Sequence, residues 1–266
     1  MKLRLWAEPA TAEIVAGVSS DVYSFRADVV DGDPAAVGPG TSFLGPTLQL
    51  QTGQRVQIDF ENRLDEACIV HWHGLNVPQD QDGQPTDAIE PGNTYHYDFT
   101  VLNRPGTYWY HTHPHGRTGE QVYRGLAGLI IVTDPTAADN GLPTGDHDLA
   151  LVLQDRTIDP DGTLRYAGAM HDTMAGFVGD TLVTNGVADL QVAVRPEPYR
   201  IRLLNGANSR SQYLTWSTGE SLHVVATDGH LSPRRSPPMG WSSPRPNAPT
   251  CGSTSPPSRR GNGSNS

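Results

Sequence analysis

The chain of 266 residues carries 29 acidic against 19 basic residues, a formal charge of −10, and only 7% of it is aromatic. An acid excess disfavours a nucleic-acid partner, and two cysteines, Cys68 and Cys251, build neither a disulfide framework nor a thiolate zinc site. No apolar run approaches the ~20 residues of a membrane-spanning helix, and the opening MKLRLWAEPATAEIVAG lacks the continuous apolar stretch of a secretory signal.

Turn formers are dense, 28 Gly and 22 Pro, and they separate short apolar runs, so the pattern predicts an all-β chain with no amphipathic helix of any length. TLQLQTGQRVQIDFEN alternates apolar and polar residues at Leu48, Leu50, Val56, Ile58 and Phe60, and Gly53 predicts a turn or bulge within it. ACIVHWH, TYHYDFTVL, GTYWYHTH and LAGLIIVTD follow as strands. Together they predict a Greek-key sandwich or barrel over residues 1–134. PTAADNGLPTG, residues 135–145, is expected to be a linker. HDLALVLQDRTI, TLVTNG, LQVAV, YRIRLLNGA, QYLTWS and SLHVVATDG predict most of a second β-sandwich over residues 146–231.

Composition changes abruptly at residue 232. Residues 1–231 hold all 29 acidic residues, while 232–266 hold none, with five arginines, eight prolines, nine serines and one aromatic, Trp241. Such a segment buries too little apolar surface to offset its ordering entropy, so disorder is expected there.

Four histidines carry the chemistry. His71 and His73 form one H-x-H pair, His111 and His113 another. Residues i and i+2 of a strand share a face, so each pair offers two imidazoles to one point. Two pairs on neighbouring strands converge four nitrogen ligands, a set acceptable to copper, zinc, iron or nickel. Cys68, three residues before His71, is expected on the opposite face. Asp82, eleven residues after His71 in Gln81-Asp82-Gly83, reads either as a turn aspartate or as a carboxylate handing protons to the site. His96 fits an exposed strand face. His147, His171, His223 and His230 read as structural or surface residues, and His115, beyond the end of its strand, as a supporting residue around the metal.

HWHGLNVP…DG…PG followed by GTYWYHTHPHGRTGEQVYRGLAGLIIV resembles the first cupredoxin domain of three-domain multicopper oxidases, of the bacterial laccase and cuprous-oxidase type. The resemblance continues through DTLVTNG, YRIRLLNGANSR and HVVATDG and covers residues 1–231. It implies two tandem cupredoxin domains, the second incomplete and copper-free. It implies a type-2 copper on His71, a type-3 copper pair on His73, His111 and His113, and proton delivery by Asp82. The implied reaction is one-electron oxidation of phenols or metal ions coupled to reduction of dioxygen to water. Such proteins are often exported. In the family the cluster takes as many histidines again from a C-terminal domain that also carries the type-1 copper cysteine, and this chain is expected to lack that domain.

The resemblance also bears on the tail. Lys2 is the one lysine against 18 arginines, which suggests GC-rich coding DNA. Back-translated in that usage and shifted by two bases, Pro237–Ser255 reads ADGLVLAPAERADVWVDL, which resembles the continuation of a multicopper oxidase second domain. Residues 232–266 are therefore expected to be out-of-frame translation. The expectation is a copper-binding N-terminal part of an oxidase, inactive by itself and prone to self-association through its incomplete second domain. The alternatives are a copper-sequestering module without turnover and a zinc site on a β-sandwich.

Overall fold

A computed structural model describes residues 1–40, 42–136, 141–166, 176–219, 222–227 and 230–231, together with Asp172 and Met174. In chain order the strands of the first half are β1 (Lys2–Val15), β2 (Val18–Asp31), β3 (Leu48–Gln51), β4 (Arg55–Asn62), β5 (Val70–His73), β6 (Thr94–Thr100), β7 (Gly106–Thr112) and β8 (Ala127–Thr133). A short helix, α1 (Thr118–Arg124), separates β7 from β8. One sheet has the order β2–β1–β4–β6, the other β3–β8–β7–β5. The pairs β1/β4 and β3/β8 are parallel and the rest of these ladders antiparallel.

Both sheets bury one face against each other. Leu3 and Leu5 of β1, Val56, Ile58 and Phe60 of β4 and Tyr97 and Phe99 of β6 meet Leu48 and Leu50 of β3, Val70 and Trp72 of β5 and Ile130 of β8 in one core. The alternation expected at Leu48, Leu50, Val56, Ile58 and Phe60 is seen, each being buried between more exposed neighbours. Gly53 lies at φ +83° in the β3–β4 turn, a left-handed conformation that a side chain would strain.

Three features depart from the sequence reading. The long β1–β2 hairpin was not anticipated, because small residues occupy many of its inward positions; Ala7, Ser20 and Ser24 are buried there and do not register as apolar alternation. The expectation of no helix is corrected by α1, whose seven residues are too few to show a helical period. LQVAV and QYLTWS form no strand. Val192 and Val194 are 46% and 58% exposed, and without a neighbouring ladder an apolar run has nothing to pair with.

The second half contributes β9 (Asp148–Ile158), β10 (Leu164–Arg165), β11 (Thr181–Thr184) and β12 (Arg200–Asn205), plus the short pair β13 (Ala226–Thr227) and β14 (His230–Leu231). β9 is central, flanked by antiparallel β10 and β11 and by parallel β12. Val152 of β9 and Val183 of β11 pack with Ile14, Val22, Phe43, Leu44 and Leu129 in a second buried cluster, against which Trp109 and Leu204 also lean. This cluster joins the β9 sheet to the outside of the first sandwich within one compact unit that includes Met1–Tyr213. Leu214–Val225 belongs to a separate unit, in which Gly219 N–H donates to the Trp216 carbonyl at 3.0 Å. The expected linker lacks strand structure at 141–144, and its residues 137–140 lie outside the described residues, as does the tail 232–266. Among the described residues no helix is long and apolar enough to cross a membrane.

Candidate metal centre

The register of β5 on β7 builds the centre. His71 stands opposite His111, His73 opposite Trp109, and Val70 opposite Thr112. Val70 and Trp72 turn into the core, so His71 and His73 share the other face of β5. His113 follows the end of β7, where its backbone N–H donates to the Ile69 carbonyl at 3.0 Å. The ring of His71 lies 5.7, 5.3 and 5.0 Å from those of His73, His111 and His113. Side-chain nitrogens of His71, His73 and His111 fall within 4.8 Å of one another. The His113 ring is 5.8 Å from that of His111, and its Nδ1 is buried without a hydrogen-bond partner.

Hydrogen bonds decide which nitrogens are free. His71 Nδ1 lies 2.8 Å from the Asp82 carbonyl and His111 Nδ1 lies 2.7 Å from the Thr112 carbonyl. A carbonyl only accepts, so both imidazoles carry their proton on Nδ1 and keep a lone pair on Nε2. His73 presents Nδ1 instead, 3.2 Å from His111 Nε2. Two imidazole nitrogens this close need a proton or a metal ion between them. Burial, and secondarily the neighbouring His71, hold the pKa of His73 and His113 below the usual histidine value. His111, 6% exposed, is pushed down to about 3, chiefly by burial. Neutral imidazole is the ligand form, so His73, His111 and His113 can meet a cation without first losing protons.

Asp82 is brought to the same place. Its Oδ1 is 3.1 Å from His71 Nδ1, and burial raises its carboxyl above the ordinary range despite the opposing pull of His71 and His113. Gly83 makes the approach feasible. It sits at φ +65°, and a Cβ there would lie 1.8 Å from the Val70 carbonyl oxygen, so the loop can lie flat on β5 only with glycine at this point.

Sequence reasoning missed the residues behind the histidines. Trp109 stacks at 4.8 Å on His73 and 4.3 Å on His111, with interplanar angles of 32° and 36°. Its signal was present, since position i−2 from His111 shares the face of that histidine. Thr112 donates to Gln121 Oε1 on α1, and Gln121 Nε2 donates to the Ala67 carbonyl at 3.0 Å, tying the strand ends together. Cys68 faces away from the imidazoles as expected. It is buried 3.4 Å from Thr112 Oγ1, and burial raises its thiol to about 12. His115 and His223 are exposed; His96 pairs with Asp59 at 2.7 Å and His147 with Glu197 at 2.6 Å. The side chains of His171 and His230 lie outside the described residues.

The donor set fits a transition-metal ion. It offers converging imidazole nitrogens, a close Nδ1–Nε2 pair, an orphaned buried nitrogen on His113 and, among the described residues, no thiolate.

Comparison with known proteins agrees with this chemistry. Residues 27–137 match the family profile described as multicopper oxidase. The chain is 38% identical over 195 residues to the multicopper oxidase mco of Staphylococcus haemolyticus, spanning 73% of this chain and 42% of that protein. It is 35% identical over 193 residues to the cell division protein FtsP of Escherichia coli, spanning 72% and 40%. Among solved structures, the McoA multicopper oxidase of Aquifex aeolicus superposes with a TM-score of 0.73 at 35% identity, covering 87% of this chain and 49% of that one. The laccase-like multicopper oxidase CueO of Ochrobactrum sp. superposes with a TM-score of 0.76 at 33% identity, covering 86% and 49%. The chain thus spans less than half the length of these relatives, and their fold is the cupredoxin β-sandwich. On its profile match, its relatives and its fold, the chain belongs to the multicopper oxidase family.

Proposed function

We propose that this chain supplies half of the ligand set of a trinuclear copper cluster, with His71 serving the type-2 copper and His73, His111 and His113 the type-3 pair. The observation that carries the reading is the 3.2 Å approach of His73 Nδ1 to His111 Nε2, with His71 beside them. Copper held there would supply one-electron redox chemistry, used in laccase-like oxidases to couple oxidation of phenols or metal ions to the reduction of dioxygen to water. The protein's own contributions are distinct. The Asp82 carbonyl and the Thr112 carbonyl orient the imidazoles, and Trp109 holds two of them in plane. The Asp82 carboxyl keeps its proton to higher pH than a free carboxyl and stands at His71, where it can hold and pass protons.

Four imidazoles hold copper but do not by themselves complete a three-ion cluster. The isolated chain is therefore expected to bind copper without steady turnover. A second reading, a copper-binding module without a catalytic role, draws on the relatives themselves, one of which is named for cell division rather than oxidation. Copper titration with metal analysis and electron paramagnetic resonance tests the binding. The wild-type chain should retain copper with nitrogen couplings, and His71→Ala/His111→Ala should lose most of it while keeping its β-sheet circular dichroism. Equal copper in both proteins would overturn the site. Steady phenol oxidation matched by four-electron oxygen consumption, and lost in the double variant, would replace the binding-only expectation with turnover.

A further inference from the structure

β5 is the edge strand of its sheet, in the order β3–β8–β7–β5. Backbone groups on its outer side lack a ladder partner, and in a buried setting they must find another one. At Val70 both are met by a single side chain. The Tyr97 hydroxyl donates to the Val70 carbonyl at 2.7 Å and accepts from the Val70 N–H at 3.2 Å. Tyr97 belongs to β6 in the opposite sheet and is 1% exposed. Its ring meets that of Trp72 edge-on at 5.0 Å. Tyr97 therefore grips the residues on either side of His71, by backbone at Val70 and by side chain at Trp72. The same carbonyl is the surface on which Gly83 rests, so the Asp82 loop is referenced to the same point.

We infer that Tyr97 is a positioning residue for the metal centre: it braces the edge strand from across the core, setting where His71 and His73 stand relative to His111. Phenylalanine would fill the same volume and strip both Val70 groups of their partner, freeing β5 to shift on β7. The inference rests on the copper reading of the histidines for its functional consequence, but the brace itself is testable without metal.

The experiment compares wild type, Tyr97→Phe and Leu3→Ala, a core truncation on β1. In the metal-free protein, amide hydrogen exchange at Val70 should speed up in Tyr97→Phe while β8 amides keep their protection. Copper affinity should fall by about tenfold or more in Tyr97→Phe, the range seen when groups behind metal ligands are removed. Leu3→Ala, matched for loss of melting temperature, should keep it. Wild-type copper affinity in Tyr97→Phe, or an equal loss in Leu3→Ala, would overturn the positioning role. If Tyr97→Phe does not fold, wild-type exchange decides: a Val70 amide exchanging as fast as exposed loop amides would refute the brace, and strong protection would uphold it. If the wild type takes up no copper, the proposed function falls, and Val70 exchange still separates a brace from none.

Discussion

His111 shows how burial and ligand chemistry coincide. Enclosed by Trp109, Thr112 and its own partners, it is held neutral down to about pH 3, and His73 and His113 are shifted in the same direction. In the unfolded chain these imidazoles take up protons near the ordinary histidine value of 6.5. A histidine whose folded pKa is depressed favours the fold fully above the unfolded pKa and loses that contribution as pH falls toward the folded value. The metal-free protein should therefore lose stability between pH 6.5 and 3, by about 1.4 kcal/mol per pH unit for each histidine that stays neutral. Urea unfolding at stepped pH reads this slope, and His111→Gln should flatten it; an unchanged slope would count against the burial argument. Cys68 provides a second check on enclosure. With its thiol raised to about 12 by burial, it should resist alkylation in the folded protein and react only after unfolding, as peptide mass analysis would show.

Among the elements, β5 is short yet carries two of the four histidines. It is held from three sides: by β7 through its ladder, by Tyr97 from the facing sheet, and by the Gly83 turn lying on the Val70 carbonyl. Gly83→Ala places a methyl 1.8 Å from that oxygen at φ +65°, so the turn must lift. The expected cost is about 1–3 kcal/mol of stability from the backbone strain. Copper affinity should fall with it, because Asp82 leaves His71. Thermal unfolding and copper titration of this variant check both; a stable variant with unaltered copper affinity would mean that the loop does not hold β5. α1 acts similarly on the other side, where Gln121 links Thr112 of β7 to Ala67 ahead of β5.

The β9 sheet and the first sandwich share the cluster around Phe43, Leu129, Val152 and Val183, and Trp109 leans on that cluster with its ring against His73 and His111. Packing of the second half is thereby joined to the histidine cluster by one aromatic side chain. Phe43 is buried in this cluster and lies under the buried Arg156 guanidinium, 5.8 Å from it. Phe43→Ala should cost about 3–5 kcal/mol and expose the β9 region to protease before the β1–β8 core. Wild-type unfolding should show one transition across Met1–Tyr213, since the shared cluster couples the halves. Two well-separated transitions in urea would show that the cluster does not couple them.

Two local rules made much of this legible in the chain itself. Period-two alternation placed Leu48, Leu50, Val56, Ile58 and Phe60 inward, and H-x-H spacing put His71 with His73 and His111 with His113 on one face each. Those rules concern neighbours along one strand, so the amino-acid order alone determines them. The meeting of the two histidine pairs is not local. It depends on the β5–β7 register, which sets His71 opposite His111 and Trp109 opposite His73. The grip of Tyr97 on Val70 depends on two sheets facing each other across a core, with nothing in the intervening sequence to announce it. LQVAV had a strand's composition and found no partner, whereas the β1–β2 hairpin lacked a strong pattern and found one. A strand exists only where another strand meets its hydrogen bonds, and a metal site only where separate strands aim their ligands at one point; both are settled by packing between segments far apart in the chain.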